Sequence, residues 1–153
     1  MSKSWSYFPE KNGTDAVGRV ADFIDTNIWV YAHTAGAEEF KSKLARALLG
    51  EVDLAVISAQ ILGEYSVVMI RNGLPEPEIQ RNVAEMIAMC RTVPITTTSV
   101  EQAWKLRQRY RLSFWDCQMV AAAAEAGCER VFTEDLQHGQ IVGTVQIVNP
   151  FVG

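Results

Sequence analysis

The chain has 153 residues, of which 48% are apolar and 21% are charged, as in an ordinary globular domain. Its net charge of -4 excludes a broad basic surface, so binding to nucleic acid would need a local basic patch or metal ions. No apolar run approaches the roughly 18–20 residues that cross a bilayer. The three cysteines lack the spacing of a zinc site or a disulfide framework, and the N-terminus lacks the apolar core of a secretory signal. We therefore expect a cytoplasmic protein with no membrane segment.

Residues 1–21 differ from the rest of the chain. They are polar and show no periodicity, although they contain Trp5, Tyr7 and Phe8. We interpret them as an N-terminal extension, either a flexible tail or the product of a misassigned start codon, and the aromatics leave room for an arm that packs on the domain. Residues 22–153 then form a single domain, long enough to bury a sizeable core.

Strands and helices alternate along this domain. The predicted strands cover residues 22–26, 54–57, 92–95, 129–133 and 144–148. Predicted helices follow the first strand and then cover residues 37–49, 58–71, 77–90, 98–111 and 113–126, the fifth opened by a capping box at Thr98 and Glu101. Pro94 places its strand at an edge or a bulge. This alternation predicts a three-layer α/β/α domain with a central, mainly parallel sheet, and the first strand at its centre.

Four acidic residues occupy positions that such a sheet would bring together. Asp25 follows the first strand, Glu64 lies in the helix after the second, Asp116 lies near a helix start, and Asp135 follows strand 129–133. Ligands collect at the carboxyl ends of parallel strands. Each residue also has an ordinary alternative: a turn or a cap for Asp25 and Asp135, a solvated helix face for Glu64, and a capping box with Ser113 for Asp116.

Carboxylates gathered in one pocket repel each other unless they are protonated or bridged by cations. Hard divalent cations take oxygen ligands, which points to Mg²⁺ or Mn²⁺. One or two such ions can generate hydroxide and stabilise the leaving oxygen of a phosphodiester. Thr26, Asn27 and Thr133 would position ligands, water or a phosphate. No Ser or Cys nucleophile is paired with a plausible base, and no Gly-rich phosphate-binding motif is present.

Three stretches of the chain resemble the PIN domain, and within it the toxin ribonucleases of VapBC-type toxin–antitoxin pairs. They are FIDTNIWVYAH, ISAQILGEYSVV and LSFWDCQMVAAAAEAGCERVFTEDLQHG, and the resemblance covers residues 22–151. It implies a Mg²⁺- or Mn²⁺-dependent endoribonuclease, a homodimer, and a cognate antitoxin whose segment occupies the active-site groove. The chain departs from this family in its N-terminal extension, since such toxins usually begin almost at the first strand.

The resemblance also implies roles for individual residues. The catalytic residues would be Asp25, Glu64, Asp116 and Asp135. Of these, Asp25, Asp116 and Asp135 would be the metal ligands. Asn27 and Thr133 match the accessory polar positions.

Some residues outside these motifs also allow a functional interpretation. Lys105, Arg107, Arg109 and Arg111 form a basic run that is either a solvated helix end or a contact to the RNA backbone, with Arg109 and Arg111 as the contacts. We interpret His138 as a surface loop residue rather than a general acid. The tryptophans at positions 29, 104 and 115 are interpreted as core or dimer-interface residues rather than platforms for base stacking.

Three other functions compete with the nuclease. A phosphohydrolase could use Asp25 as a covalent nucleophile, but that chemistry usually needs an acid two residues on, and Asn27 cannot serve as a general acid. A phospho-acceptor domain would need a lysine in a late strand, which residues 144–148 do not contain. A non-enzymatic PIN-like module could use the acidic pocket to dock an arginine of a partner.

Overall fold

The computed structural model describes residues 18–36 and 38–153. Of the predicted extension, residues 1–17 lie outside the described part. The strands are β1 (Ala21–Ile24), β2 (Leu54–Ser58), β3 (Arg91–Val93), β4 (Arg130–Phe132), β5 (Ile141–Val142) and β6 (Val145–Val148). The helices are α1 (Thr26–Ala32), α2 (Glu39–Glu51), α3 (Ala59–Arg71), α4 (Glu76–Met89), α5 (Thr97–Tyr110) and α6 (Phe114–Glu125).

The strands form one sheet in the order β3-β2-β1-β4-β6-β5. All neighbouring pairs are parallel except β5 and β6, which are antiparallel. The predicted α/β/α fold is confirmed, as is the interior position of the first strand. β3 lies at the edge, where Pro94 follows it without removing a hydrogen bond from an interior ladder.

The central strands are buried on both faces because helices cover both sides of the sheet. Every residue of β1 and β2 is buried, including Asp22, and the otherwise largely apolar composition of the two strands is typical of parallel strands in this setting. On α6, the alanines at positions 121 to 123 are buried, and their small side chains let the helix approach its neighbours closely. The packing around β1 therefore fixes its position, and Asp25, which directly follows its last residue, lies at the carboxyl edge of the sheet.

The hairpin of β5 and β6 was not predicted; the sequence indicated only a strand at residues 144–148. Gly143, with φ +61°, is the first central residue of the two-residue turn between the strands. Glycine is typical of this position in tight hairpins. A strand of only two residues, such as β5, is too short to show an alternating pattern.

The predicted start of α5 was wrong. Thr96, not Thr98, caps the helix: its Oγ1 accepts a hydrogen bond from the Ser99 backbone N–H at 3.0 Å, and the Ser99 hydroxyl lies 3.2 Å from the Thr96 nitrogen. The Ser99 hydroxyl also donates to Glu125 of α6 at 2.6 Å. This contact between α5 and α6, which local sequence does not reveal, favours the earlier start.

Candidate active site

Asp25 lies in the one-residue step between β1 and α1. Its backbone N–H donates to the Phe132 carbonyl at 3.0 Å, which extends the pairing with β4 by one residue. Its Oδ1 accepts from the Thr26 backbone N–H at 2.7 Å, and its Oδ2 accepts from the Thr133 hydroxyl at 2.7 Å. The helix-capping role that the sequence left open is thus confirmed. The same contacts fix the orientation of a carboxyl group that is only 5% exposed.

The environment of Asp25 disfavours its charge. Burial raises the pKa of Asp25 to about 7, whereas the hydrogen bonds from Thr133 and Thr26 lower it. The carboxylates of Asp135 and Glu64 raise this pKa further. Within residues 18–36 and 38–153, no lysine or arginine forms an ion pair with Asp25. The group is therefore a buried acid among other acids, with neutral donors around it.

The side-chain amide of Asn27 joins Asp25 to Asp135. Its Nδ2 lies 3.2 Å from Asp25 Oδ2 and 3.1 Å from Asp135 Oδ2. The same nitrogen lies 3.4 Å from the Thr133 hydroxyl, which accepts from the Asp135 backbone N–H at 3.1 Å. The first and fourth predicted acidic residues therefore share one neutral donor, and the two accessory positions contact both of them.

The pKa of Asp135 is also raised. Burial is the main cause, followed by the negative charges of Asp116, Glu134 and Glu64, while the hydrogen bond from Asn27 lowers the pKa. The influence of Asp116 on Asp135 places the α6 carboxylate within electrostatic range of the same crevice. All four predicted acidic residues are thus coupled through their charges.

Glu64 points from the second turn of α3 back toward Asp25. Its Oε2 accepts from the Thr26 hydroxyl at 2.8 Å, and its Oε1 accepts from Gln60 Nε2 at 2.7 Å. Gln118 of α6 in turn donates to Gln60 Oε1 at 2.8 Å. The two glutamines, which the sequence did not single out, connect α3 to α6 and hold Glu64 in the crevice.

Asp116 lies in the first turn of α6, which Ser113 caps as predicted, but the reciprocal half of the predicted capping box is not formed, because the Asp116 carboxylate accepts from the Ser113 hydroxyl and not from the Ser113 backbone N–H. Ser113 Oγ accepts from the Asp116 backbone N–H at 3.1 Å and lies 2.8 Å from Asp116 Oδ2. The positive end of the helix dipole favours the ionised form of this carboxylate. Capping and a functional role are therefore compatible at this position.

The carboxylates of Asp25, Glu64 and Asp135 are linked by hydrogen bonds through Thr26 and Asn27 without forming a preassembled metal cage. In the described residues, no three acidic, histidine or cysteine side chains stand close enough together to hold an ion as they are. The atoms that could ligate an ion are nevertheless all oxygens. The pKa values of Asp25 and Asp135 are raised, and only neutral groups offset the charge at Asp25. These properties fit a hard divalent cation. Its charge would offset the carboxylates in place of the Asn27 amide, which lies between Asp25 and Asp135, and of the proton that the raised pKa favours on Asp25.

A cavity of about 720 Å³ opens beside the acidic residues. It is lined by Thr26, Asn27, Val30, Tyr31, Gly63, Glu64, Val67, Val68, Arg71 and Asp135. Positions 64, 67, 68 and 71 share one face of α3, so the cavity has an acidic end, an apolar wall and a guanidinium. Arg71 was not among the predicted site residues, although its helical spacing from Glu64 indicates a shared face.

A second group that the sequence missed fixes the loop after β4. The Tyr31 hydroxyl donates to Glu134 Oε1 at 2.6 Å, and Lys41 Nζ donates to Glu134 Oε2 at 2.8 Å. Lys41 also lies over the Tyr31 ring, 5.0 Å from its centroid. Glu134 immediately precedes Asp135, so its carboxylate pairs with α1 and α2 while its neighbour faces the crevice.

The remaining predicted residues lie farther out. Arg111 caps α5 with a left-handed φ of +61°, and Arg109 lies over the Tyr110 ring. His138 is exposed and its Nδ1 accepts from the Asn149 backbone N–H at 3.0 Å. The proposed RNA contacts of the two arginines stay predictions.

Trp29 is buried, as predicted for a core residue. Trp104 and Trp115 are 53% and 63% exposed, so assigning these two to the core of the chain was wrong. Whether they lie in a dimer interface is a separate prediction that stays open.

Comparison with known proteins relates this arrangement to one family. The sequence model of the PIN domain matches residues 23–142. Among solved structures, the Mycobacterium tuberculosis toxin VapC20, described as cleaving the sarcin–ricin loop, is 23% identical over 74% of this chain and 91% of that chain, with a TM-score of 0.64.

Two further solved structures are similar. A toxin–antitoxin complex from Klebsiella pneumoniae is 18% identical over 85% of this chain and 98% of that chain (TM-score 0.66). VapBC2 from Rickettsia felis, bound to a fragment of its promoter DNA, is 14% identical over 84% and 97% (TM-score 0.61). At these sequence identities the similarity shows that the fold is shared. No curated protein sequence matches the chain.

No helix in the described part of the chain is long and apolar enough to cross a membrane.

Proposed function

The chain belongs to the PIN domain family, and on that premise we propose that it is a divalent-metal-dependent endoribonuclease, the toxin of a toxin–antitoxin pair. One observation carries this proposal: the carboxylates of Asp25, Glu64 and Asp135, which come from the end of β1, from α3 and from the loop after β4, are linked through Thr26 and Asn27, and only neutral groups offset the charge at Asp25. Phosphodiester cleavage by metal ions needs such a cluster of oxygen ligands.

In this proposal Asp25, Asp116 and Asp135 hold Mg²⁺ or Mn²⁺. An ion held there would supply positive charge, which would stabilise the developing negative charge on the phosphate and lower the pKa of water. The raised pKa values of Asp25 and Asp135 give these side chains a reason to accept a cation, because a nearby positive charge favours their ionised forms.

The chain's own residues position the reacting groups. Thr133 and Asn27 orient the Asp25 carboxyl group through its Oδ2. Glu64 accepts one hydrogen bond on each oxygen, from Gln60 and Thr26, and therefore keeps lone pairs free to accept a proton from an attacking water. We assign Glu64 this proton-accepting role, in accord with its absence from the proposed metal ligands.

We further propose an RNA substrate, a homodimer and a cytoplasmic location. The toxin–antitoxin complex among the similar structures supports an antitoxin partner for this chain. The cavity beside the crevice suits a segment of such a partner, because it joins an apolar wall of α3 to an acidic end that would attract a basic side chain.

A cleavage assay with matched variants tests the nuclease. Purified protein would be incubated with structured RNA transcripts in Mg²⁺, in Mn²⁺ or in EDTA. The wild type should cleave only with metal. The variants Asp25→Asn, Asp116→Asn and Asp135→Asn should each cleave at least about 100-fold more slowly. Mutating a residue that only orients a metal ligand already lowers activity about 10–100-fold, and a ligand itself should matter at least as much. Glu129→Gln is the control, because this exposed acid precedes β4 at the opposite edge of the sheet.

The rival functions give different results in the same experiment. A folded protein that cleaves no RNA under any condition, yet binds a partner through the crevice, would favour the non-enzymatic module. Hydrolysis of a small phosphate monoester with trapping of phosphate on Asp25 would favour the phosphohydrolase. For the toxin role, induced expression in a bacterium should arrest growth, and Asp25→Asn should restore it.

A further inference from the structure

Three aromatic side chains, Trp104 of α5 and Phe114 and Trp115 at the start of α6, form a row. The Trp104 and Phe114 ring centroids are 5.1 Å apart, and those of Phe114 and Trp115 are 5.7 Å apart. Trp104 and Trp115, at the two ends of the row, are each more than half exposed. Large exposed aromatics grouped in this way are uncommon on a surface without a binding role.

Basic residues lie beside the row. Trp104, Arg107, Gln108 and Arg111 share one face of α5 and line a concavity of about 310 Å³. The Arg107 guanidinium donates to the Leu112 carbonyl, which ties down the turn between α5 and α6. Arg111 makes no side-chain hydrogen bond or ion pair within the described part of the chain. On a protein with a net charge of -4, this is a local positive patch.

This surface lies next to the acidic residues along the chain and through one side chain. Trp115 is the residue before Asp116 in the first turn of α6. Its carbonyl lies 3.4 Å from Gln60 Nε2, and that same nitrogen donates to Glu64 at 2.7 Å. The aromatic row therefore begins one residue from a proposed metal ligand and one hydrogen-bonding side chain from Glu64.

We propose that the surface formed by Trp104, Phe114, Trp115 and Arg111, here named the stacking surface, binds an unpaired stretch of the RNA substrate. Exposed aromatics offer faces on which bases stack, and an arginine without a protein partner can hold a phosphate between them. This inference rests on the proposed nuclease function and adds to it the surface that would hold the bases of the substrate beside the crevice. The bases would lie on the stacking surface while the adjoining phosphodiester reaches the crevice.

Binding can be measured separately from cleavage. A fluorescently labelled, unstructured oligoribonucleotide of about ten nucleotides, within the usual range of site sizes, would be titrated with the full-length protein in EDTA. Trp104→Ala and Trp115→Ala should each weaken binding about ten-fold or more, the loss of one stacked base. Trp104→Phe and Trp115→Phe keep a ring and should recover most of the affinity. Phe40→Ala, which removes a 68% exposed aromatic from α2, should bind as the wild type does.

The arginine has its own readout. Arg111→Asn removes the charge, and asparagine tolerates the left-handed backbone at this position. The variant should lower the slope of log Kd against log salt concentration by about 0.7, the value for one phosphate on a single strand. Arg81→Ala, at an exposed position on α4, should leave the slope unchanged.

The outcomes separate this inference from the nuclease proposal. RNA binding that needs both tryptophans supports the stacking surface even if no cleavage is found with metal. Cleavage that needs Asp25 but has the same KM in the tryptophan variants as in the wild type would overturn the stacking surface and leave the nuclease intact. Tryptophan variants that turn a dimer into a monomer while keeping full RNA affinity would also overturn it, because the row would then be an interface between copies.

Discussion

Two buried aspartates lie three residues apart on the same segment and have opposite surroundings. Asp22, in β1, makes a bidentate ion pair with Arg130 of β4, with nitrogen–oxygen distances of 2.9 and 2.7 Å. Asp25, just past the end of β1, meets Thr133 just past the end of β4 and has only neutral donors. The two strands thus hold a carboxylate at each end, one compensated by a cation and the other not.

The difference separates an acid with a structural ion pair from a candidate metal ligand. A buried carboxylate with a guanidinium partner is satisfied, so adding a metal would displace an existing contact. A buried carboxylate beside other acids has no positive charge to stabilise its ionised form. Burial therefore raises the pKa of Asp25 to about 7, and the neighbouring carboxylates act in the same direction. Position at the carboxyl edge of the sheet and lack of a cationic partner, taken together, identify the candidate site.

The largest expected effect is the pH dependence of stability that Asp25 creates. Its pKa is about 7 in the folded chain and 3.8 in the reference state. Below pH 4 both states are protonated; between these values the unfolded chain loses the proton first, so the contribution of Asp25 to stability is lost as pH rises through 7. The full cost is of the order of 4 kcal/mol, of which about 3 kcal/mol falls between pH 5 and pH 8. Denaturant unfolding in EDTA at pH 5 and pH 8 should show wild type losing stability relative to Asp25→Asn.

The control for this prediction is Glu129→Gln, which should follow the wild type at both pH values. An equal pH dependence in wild type and Asp25→Asn would mean that Asp25 is ionised at little cost in the folded chain, and the contrast with Asp22 would fail.

The next effect is at the other end of the strands. Asp22→Asn should lower the free energy of unfolding by roughly 2–3 kcal/mol, below the ~3–5 kcal/mol for a fully buried pair, because the Arg130 side chain is 43% exposed and water screens it. The variant should keep the specific activity of the wild type once folded. Unfolding in denaturant measures the loss of stability, and a cleavage assay measures the specific activity. Loss of activity without loss of stability would show that the two ends of the strands are not separate in function.

A smaller effect follows from the hydroxyl that orients Asp25. Thr133→Val keeps the shape of the side chain but removes a donor that lowers the pKa of Asp25. The pKa should rise further, so the acidic limb of the cleavage rate should move to higher pH, with a rate loss of roughly 3–10-fold at pH 7 from a hydrogen bond of about 1 kcal/mol. Thr92→Val, on edge strand β3, is the control. An unchanged pH profile in Thr133→Val would argue against ionised Asp25 as the active form.

The smallest effect concerns the loop that carries Asp135. Tyr31→Phe removes the hydrogen bond to Glu134 and should cost about 1 kcal/mol of stability and a few-fold in activity, since Asp135 becomes less well fixed. Tyr110→Phe makes a matched control, because the Tyr110 hydroxyl accepts a hydrogen bond from the Gly143 backbone N–H in the distant hairpin. Equal activity in the two variants would show that Glu134 does not position Asp135.

The sequence predicted the fold well because its main features are local or periodic. Buried apolar runs marked β1 and β2, and Ser113 marked the start of α6. The errors came where tertiary contacts decide: Ser99 meets Glu125 across two helices and moves the start of α5, and the two-residue β5 exists only through its pairing with β6.

The sequence predicted the acidic residues of the candidate site but not the side chains that hold them in place. Asp25 and Asp135 follow strands, so their position alone placed them at one edge. The contacts of Gln60 and Lys41 join side chains far apart in the sequence, and no local pattern encodes them. For the same reason, the exposure of Trp104 and Trp115 became apparent only in the folded chain.

In the proposed function, Asp25, the carboxylate without a cationic partner, is where a divalent cation binds. Titration of Mn²⁺ into the metal-free protein at pH 8, with free Mn²⁺ followed by electron paramagnetic resonance, measures this directly. The wild type and Glu129→Gln should bind Mn²⁺ with the same affinity, and Asp25→Asn should bind it at least about 100-fold more weakly. Equal binding by Asp25→Asn and the wild type, or no binding by the folded wild type, would contradict the account.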